Sequence, residues 1–363
     1  MRRSIRTGAW TAGLSGVLLV TVLVSAGVGP VHVPAPTVAA VLLDAIRVPT
    51  AVSVGPIGSG GVVPPVDVSS VPVFSYPAPA TSRTIVAAVR LPRIVLAALV
   101  GFALALAGVV MQGFFRNPMA DPAVIGVSSG AAVGAVAVLT LPVALPFGLG
   151  LHGAAFVGGL VTAFAIYRLG RRGDRTPVAT LLLAGVAVET FLGAVTSYLL
   201  VESGRSLRTA MYWLMGHLQN ASWGDVSLLA VGLPPLFVVL VLYRQELNVL
   251  LLGEEEAHSL GVDVERTKHV LLAVSSLVTG LAVSVSGVIG FVGLVIPHVM
   301  RLLVGPDHRV LLPTSALAGA SFLVATDTIA RSGPAELPVG IVTAAVGAPF
   351  FVYLLRTREV HEL

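Results

Sequence analysis

Between Arg90 and Gly134 the chain reads RLPRIVLAALVGFALALAGVVMQGFFRNPMADPAVIGVSSGAAVG. Two arginines open an apolar run of bilayer length. A polar, proline-broken turn ends it, and a second helix restarts with small residues at every fourth place. A helix crosses hydrocarbon with about 20 apolar residues, and a bilayer forces each spanning segment to satisfy its backbone internally. A water-soluble core has no use for this order. The remainder of the 363 residues agrees: 55% are hydrophobic and 11% charged, whereas soluble domains carry about 25% charged residues. Apolar runs fall at roughly 9–28, 94–115, 123–143, 150–168, 177–201, 227–243, 269–289, 291–304, 311–330 and 338–355. The chain is therefore read as all-α: one polytopic transmembrane domain, 1–363, of about ten helices in the cell membrane. The first run is long for a signal peptide and ends in no small-x-small cleavage site, so it is read as a retained span. The run at 291–304 is short and flanked by glycine and proline, which predicts a broken or short helix tolerated only inside protein or beside a cavity.

Charge placement orients the set. With the N-terminus inside, Arg47, Arg83, Arg90, Arg93, Arg205, Arg208 and Arg331 lie outside, and the other fifteen of the 22 Lys+Arg lie in the cytoplasm. That bias predicts N-in, C-in topology. Ten spans make two sets of five, and an odd number per set makes the halves inverted repeats, an arrangement that places the pathway at a repeat or subunit interface. Residues 43–83 are rich in proline and glycine and form an external loop with room for a short strand pair.

Several chemistries are excluded. There is no cysteine, hence no disulfide, thiolate site or thiol nucleophile. Lys268 is the single lysine and follows no glycine loop, so the chain has no phosphate-cradling P-loop. An ATP-driven process would need a separate ATPase subunit. The histidines His152, His298 and His308 have no carboxylate or cysteine companions at ligand spacing, and no catalytic constellation, resident cofactor or nucleic-acid surface emerges.

Four groups of residues invite function. Arg90, Arg93 and Arg331 are cations at outer span ends. They could snorkel to headgroups, with Asp327 pairing to Arg331 one helical turn on, or they could receive an acidic partner. In the turn FRNPMADPAVIGVSSGAAVGA, Asp121 caps the next helix ahead of Pro122, and Gly126, Gly130 and Gly134 form a close-packing stripe. Gln112, Asn117, Ser128 and Ser129 are candidates to line a pathway. The cytoplasmic stretch 247–268 holds Gly253, Glu254, Glu255, Ala257, Leu260 and Gly261. Its apolar face of Leu252, Leu260 and Val262, interrupted at Gly261, suits either a solvated loop or docking in a partner's groove. Finally, Glu189 is an intramembrane acid with no partner nearby in sequence, which keeps a proton-coupled carrier among the alternatives.

The phrases RLPR, ALAGVVMQGFFRNPMADPAVIGVSSGAAVGA, LLLAGVAV, MYWLMGHL, LGEEEAHSLGV, GFVGLVIPHVMRLLVGPDHRVLLP and ELPVGIVTAAVGAPFF occur in order from Arg90 to about Arg356. Together they resemble the iron-chelate and vitamin B12 permease family of bacterial ABC importers; the first ~80 residues match only in character. The resemblance implies a permease that pairs with a second copy of itself, or a close paralogue, around a shared path. It also implies two ATP-binding cassette subunits and an extracytoplasmic binding protein as partners. Residues matching Arg90, Arg93 and Arg331 would receive acidic side chains of that binding protein. The stretch Gly253–Val262 would rest on the ATPases. Ferric siderophores rank first as cargo, with cobalamin and haem as alternatives. The external loop is longer than the resemblance leads one to expect.

Overall fold

The computed structural model describes residues 2–31, 33–44, 47–54, 66–72, 79–141, 150–171, 173, 176–333 and 335–357. Parts of the external segment, at 45–46, 55–65 and 73–78, lie outside the described residues. In chain order the elements are α1 (Arg2–Gly27), α2 (Ala35–Asp44), β1 (Arg47–Val54), β2 (Val66–Pro72), α3 (Ala80–Thr84), α4 (Leu91–Phe115), α5 (Val127–Thr140), α6 (Leu151–Gly170) and α7 (Val178–Glu202). There follow α8 (Leu207–Leu214), α9 (Trp223–Leu242), α10 (Arg244–Leu250), α11 (Glu254–Ser259), α12 (Val264–Ser286), α13 (Val292–Val304), α14 (His308–Ala330) and α15 (Val339–Thr357).

Among the described residues seven helices are long and apolar enough to cross a membrane: α1, the continuous rod Ala80–Phe115, α6, α7, α9, α12 and α14. Of the four shorter apolar helices, α5, α13 and α15 fall on the other three of the ten runs read from the sequence, and α2 lies outside those runs. At ~1.5 Å per residue the 36-residue rod reaches well beyond a ~30 Å hydrocarbon layer, so its first turns stand outside. A π-helical turn, Ile85–Arg90, joins α3 to α4. It falls where Pro92 can donate no helical hydrogen bond, and local widening is how a helix absorbs such a residue. At the other end Arg116 adopts a left-handed conformation (φ 48°), and the Asn117 N–H donates to the Gln112 carbonyl, 3.1 Å, closing α4.

The core forms around α4, α12 and α14, whose apolar stretches are 78%, 72% and 72% buried, whereas those of α7 and α9 are 11% and 22% buried. Close backbone approach seats α4 against its neighbours. A Cβ on Gly108 would lie 1.9 Å from the Gly293 carbonyl oxygen of α13, and one on Gly101 would lie 2.2 Å from the Gly319 oxygen of α14. The stripe Gly130–Gly134 behaves as expected from its spacing, meeting Gly158 and Ala154 of α6 at 2.4 and 2.3 Å. Helix starts are capped by side chains: Ser222 and Asp225 form a capping box on α9, and Asp263 and Asp307 cap α12 and α14.

The expected strand pair exists. β1 and β2 are antiparallel, from Arg47 opposite Pro72 to Val54 opposite Val66, with an irregularity at Pro49/Ala51. Asp44 and Arg83, 3.3 Å apart, clasp the two ends of the external excursion. The short helix expected near Pro297 is α13, of 13 residues, entered through a left-handed Phe291 (φ 68°); it runs through Pro297 without the expected break. Because α4 meets α13 backbone to backbone, Gly108→Val should cost at least about 2 kcal/mol; a thermal unfolding scan of the purified chain in detergent checks this, with Gly150→Ala, which has open space around it, as the neutral control.

Candidate functional site

At the outer face α4 and α14 bring cations to one carboxylate. Arg93, one turn into α4, donates from Nε and Nη2 to Asp327 Oδ1 at 3.0 and 2.7 Å. Its Nη1 pairs with Glu336, which sits on the turn between α14 and α15. Asp327 Oδ2 also lies 3.5 Å from Arg331 Nε, the pairing expected from their i,i+4 spacing. Arg331 further donates to the Val28 carbonyl at 2.8 Å and to the carbonyl and hydroxyl of Ser25. Arg90 donates to the carbonyls of Ala26 (2.7 Å) and Val31. The segment leaving α1 thus closes over the cluster with its carbonyl groups.

The cations at the outer span ends form a buried cluster: Arg90, Arg93 and Arg331 are 5%, 8% and 4% exposed, and Asp327 is 0% exposed. Headgroup snorkelling is excluded for guanidiniums so enclosed. Burial, seconded by the like charges of Arg93 and Arg90, holds the Arg331 guanidinium down to about 10, with Asp327 opposing the shift; it stays charged at neutral pH.

Beside the cluster an outer cavity of about 470 Å³ is lined by Arg208, Thr209, Tyr212, His217, Asn220 and Glu336. Arg208 lies over the Tyr212 ring, 5.7 Å from its centre. Burial lowers His217 below its ordinary value, so it is neutral at pH 7. Neither His217 nor Glu336 is flagged by local sequence pattern; the turn fold alone brings them here.

On the cytoplasmic side α10 and α11 form a short corner. Gly253 (φ 130°) and Gly261 (φ 84°) bound α11 in conformations that favour glycine, so the break expected at Gly261 is real. Ala257 is fully buried, while Leu252 and Leu260 are 63% and 64% exposed and point an apolar edge outward. Val262 is half-buried, so the apolar face is narrower than the spacing suggested. Glu255 is exposed, but Glu254 is committed to the lone lysine: Lys268 Nζ lies 2.6 Å from its carboxylate and donates to the Thr176 carbonyl at 3.2 Å. Asn248 of α10 donates to Asp307 Oδ1 (2.9 Å) and accepts from the His308 N–H (2.9 Å), bolting this corner to the first turn of α14.

The pathway candidates scatter. Gln112 is 0% exposed, donates to the Leu294 carbonyl at 2.9 Å and accepts from Arg301 Nη1 at 2.8 Å. It is a strut between α4 and α13, correcting the reading of it as a lining residue. Asn117 is exposed beyond α4 and accepts from the Met119 N–H, a turn contact. Ser128 and Ser129 are half-buried at the start of α5, where the Ser129 hydroxyl donates to the Gly126 carbonyl at 3.1 Å. Asp121 caps as expected, accepting from the Ala123 N–H at 2.8 Å. Glu189 is exposed on α7, on a helix that also exposes Leu183 (72%), Phe191 (66%) and Val201 (82%). Among the described residues no three His, Asp or Glu side chains could hold a metal ion.

Known proteins carry the same framework. The profile of the FecCD transport family matches residues 17–357. The chain is 55% identical over 99% of both lengths to the "Cobalamin import system permease protein BtuC" of Halobacterium salinarum. It is 45% identical to the "Hemin transport system permease protein HmuU" of Yersinia pestis, over 75% of this chain and 83% of that one. A solved transporter described as of metal-chelate ABC type, in an inward-facing conformation, superposes with a TM-score of 0.76 at 30% identity, covering 96% and 99% of the two chains.

Asp327 is the carboxylate on which the outer cluster rests. Asp327→Asn leaves the buried guanidiniums with only the partly exposed Glu336 as counter-charge and should destabilise the protein by about 3 kcal/mol or more; chemical or thermal unfolding in detergent measures it, and wild-type stability would show that Glu336 and the backbone carbonyls suffice.

Proposed function

Since the chain belongs to the FecCD transport family, whose members are the membrane permeases of ABC importers and leave ATP hydrolysis to separate subunits, we propose that it carries cobalamin inward. The observation behind this choice of cargo is the 55% identity, along 99% of both chains, to a cobalamin import permease, against 45% over 75% of this chain for a haem permease. That ordering displaces the ferric siderophores ranked first from sequence alone. The proton-coupled carrier built on Glu189 gives way with it, because the family draws its energy from partner ATPases. The protein is a multi-pass component of the cell membrane.

Two copies enclose the path. The apolar faces that α7 leaves uncovered supply the contact, and a mid-span carboxylate such as Glu189 then faces a wet interior instead of lipid. A loaded extracytoplasmic binding protein docks on the outer face with carboxylates directed at the Arg90, Arg93 and Arg331 cluster. At the inner face Leu252 and Leu260 seat in grooves of two ATPase subunits, with Gly253, Glu254, Glu255, Ala257 and Gly261 shaping the helix that presents them. Closure of the ATPases moves that corner, and Asn248 passes the movement to α14. Ser128 and Ser129, at the start of α5, are the remaining candidates for contact with cargo.

Uptake by cells lacking the gene, with and without complementation, tests the cargo. Labelled cyanocobalamin, haemin and iron on hydroxamate or catecholate siderophores are offered separately. Restored, vanadate-sensitive uptake of cobalamin alone is expected; restoration of iron uptake without cobalamin would overturn the choice. The inner contact has its own test. Leu260→Lys should leave the permease folded while cutting transport-linked ATP hydrolysis about tenfold or more, as expected when an apolar anchor is replaced in a buried contact; unaltered coupling would remove Leu260 from the interface.

A further inference from the structure

Arg93 holds two carboxylates of different standing. Asp327 is 0% exposed and lies within the helix packing, out of reach of any partner. Glu336 has a side chain 36% exposed and stands on the wall of the outer cavity. Its turn is pinned at one side, where the Leu337 N–H donates to the Ala330 carbonyl at 3.0 Å, yet the carboxylate has open space beside it. Arg208 stands on the same cavity wall, and the neutral His217 adds no charge there. A carboxylate arriving from outside thus meets Arg208 in the cavity and then finds Arg93 already occupied.

We infer that the outer cavity is the entry for an acidic side chain of the extracytoplasmic binding protein, and that Glu336 is an internal stand-in for that side chain, which docking displaces from Arg93. The inference rests on the docking reading above and adds to it the route of entry and a competitor. Three guanidiniums against Asp327 and Glu336 leave the cluster with one positive charge in excess, so an anion is attracted. Freeing Glu336 places a like charge beside the newcomer, so the attraction is held down. Binding is consequently weaker than the three cations would allow, and release after delivery is correspondingly easier. Rim charges of this kind act chiefly on encounter and partner choice.

The test is docking of the cobalamin-loaded binding protein that supports uptake with this permease, titrated against the full transporter in nanodiscs. Glu336→Gln should dock about 3- to 10-fold more tightly than the parent at low salt, Arg93→Gln about tenfold more weakly, and the double variant no better than Arg93→Gln. The gain should shrink in 0.5 M salt, where the screening length falls to only a few ångströms (about 4 Å). Arg93→Gln docking like the parent would overturn the docking reading itself. Weaker docking by Arg93→Gln together with unchanged or weaker docking by Glu336→Gln would overturn the competitor alone. A second readout needs no partner and no Arg93 variant. The chain has no cysteine, so Thr209→Cys places a single thiol in the cavity. The ratio of its reaction rates with sulfonatoethyl and trimethylammonium-ethyl methanethiosulfonate should rise several-fold when Glu336→Gln is added, and an unchanged ratio would overturn the proposal.

Discussion

Asp327 carries one negative charge into a place where three guanidiniums converge, and the outer half of the bundle is organised around that imbalance. A buried carboxylate is costly unless paired, and so are buried arginines. Here the two requirements are met together by α4, α14 and the chain leaving α1. Arg93 takes the carboxylate along one edge, Arg331 approaches the other, and carbonyls of Ser25, Ala26, Val28 and Val31 accept from the Nη groups of Arg90 and Arg331. The segment that follows α1 is held over the cluster by those donors, which ties the periphery to the core.

α14 joins this outer cluster to the inner corner. Asp307 and His308 at its start are gripped by Asn248 of α10, and Asp327 lies near its end. Twenty residues of helix separate the two, about 30 Å at 1.5 Å per residue. Along that length α14 meets α4 at the Gly101–Gly319 crossing, where no side chain intervenes. The lone lysine reinforces the inner end by tying α11 to α12 through Glu254.

Much was legible in the sequence where the governing physics is local. Apolar run length located the ten apolar helices, seven of them long enough to cross a membrane, and arginine bias supplied an expected orientation. The four-residue glycine stripe announced the contact of α5 with α6, Gly261 marked a break, and Asp121 a cap. The spacing of Asp327 and Arg331 announced their pairing. What escaped were contacts across the chain. Arg93 and Asp327 are 234 positions apart, Gln112 and Arg301 are 189 apart, and no periodicity links them. Hence the enclosure of the arginine cluster was not legible, and a buried strut was read as a pathway residue.

The sequence by itself determined that this chain lives in a bilayer, that it carries about ten apolar helices, and that it has no P-loop with which to hydrolyse ATP. Those properties depend on transfer free energies summed along short stretches and on the presence or absence of a contiguous motif. Tertiary structure decided which charges are sealed and which face solvent. Burial and ion pairing belong to surfaces brought together by packing: Asp327 and Glu336 are both acids near the outer membrane face, and only the meeting of α4 with α14 makes the first a structural counter-charge and leaves the second within reach of the outside.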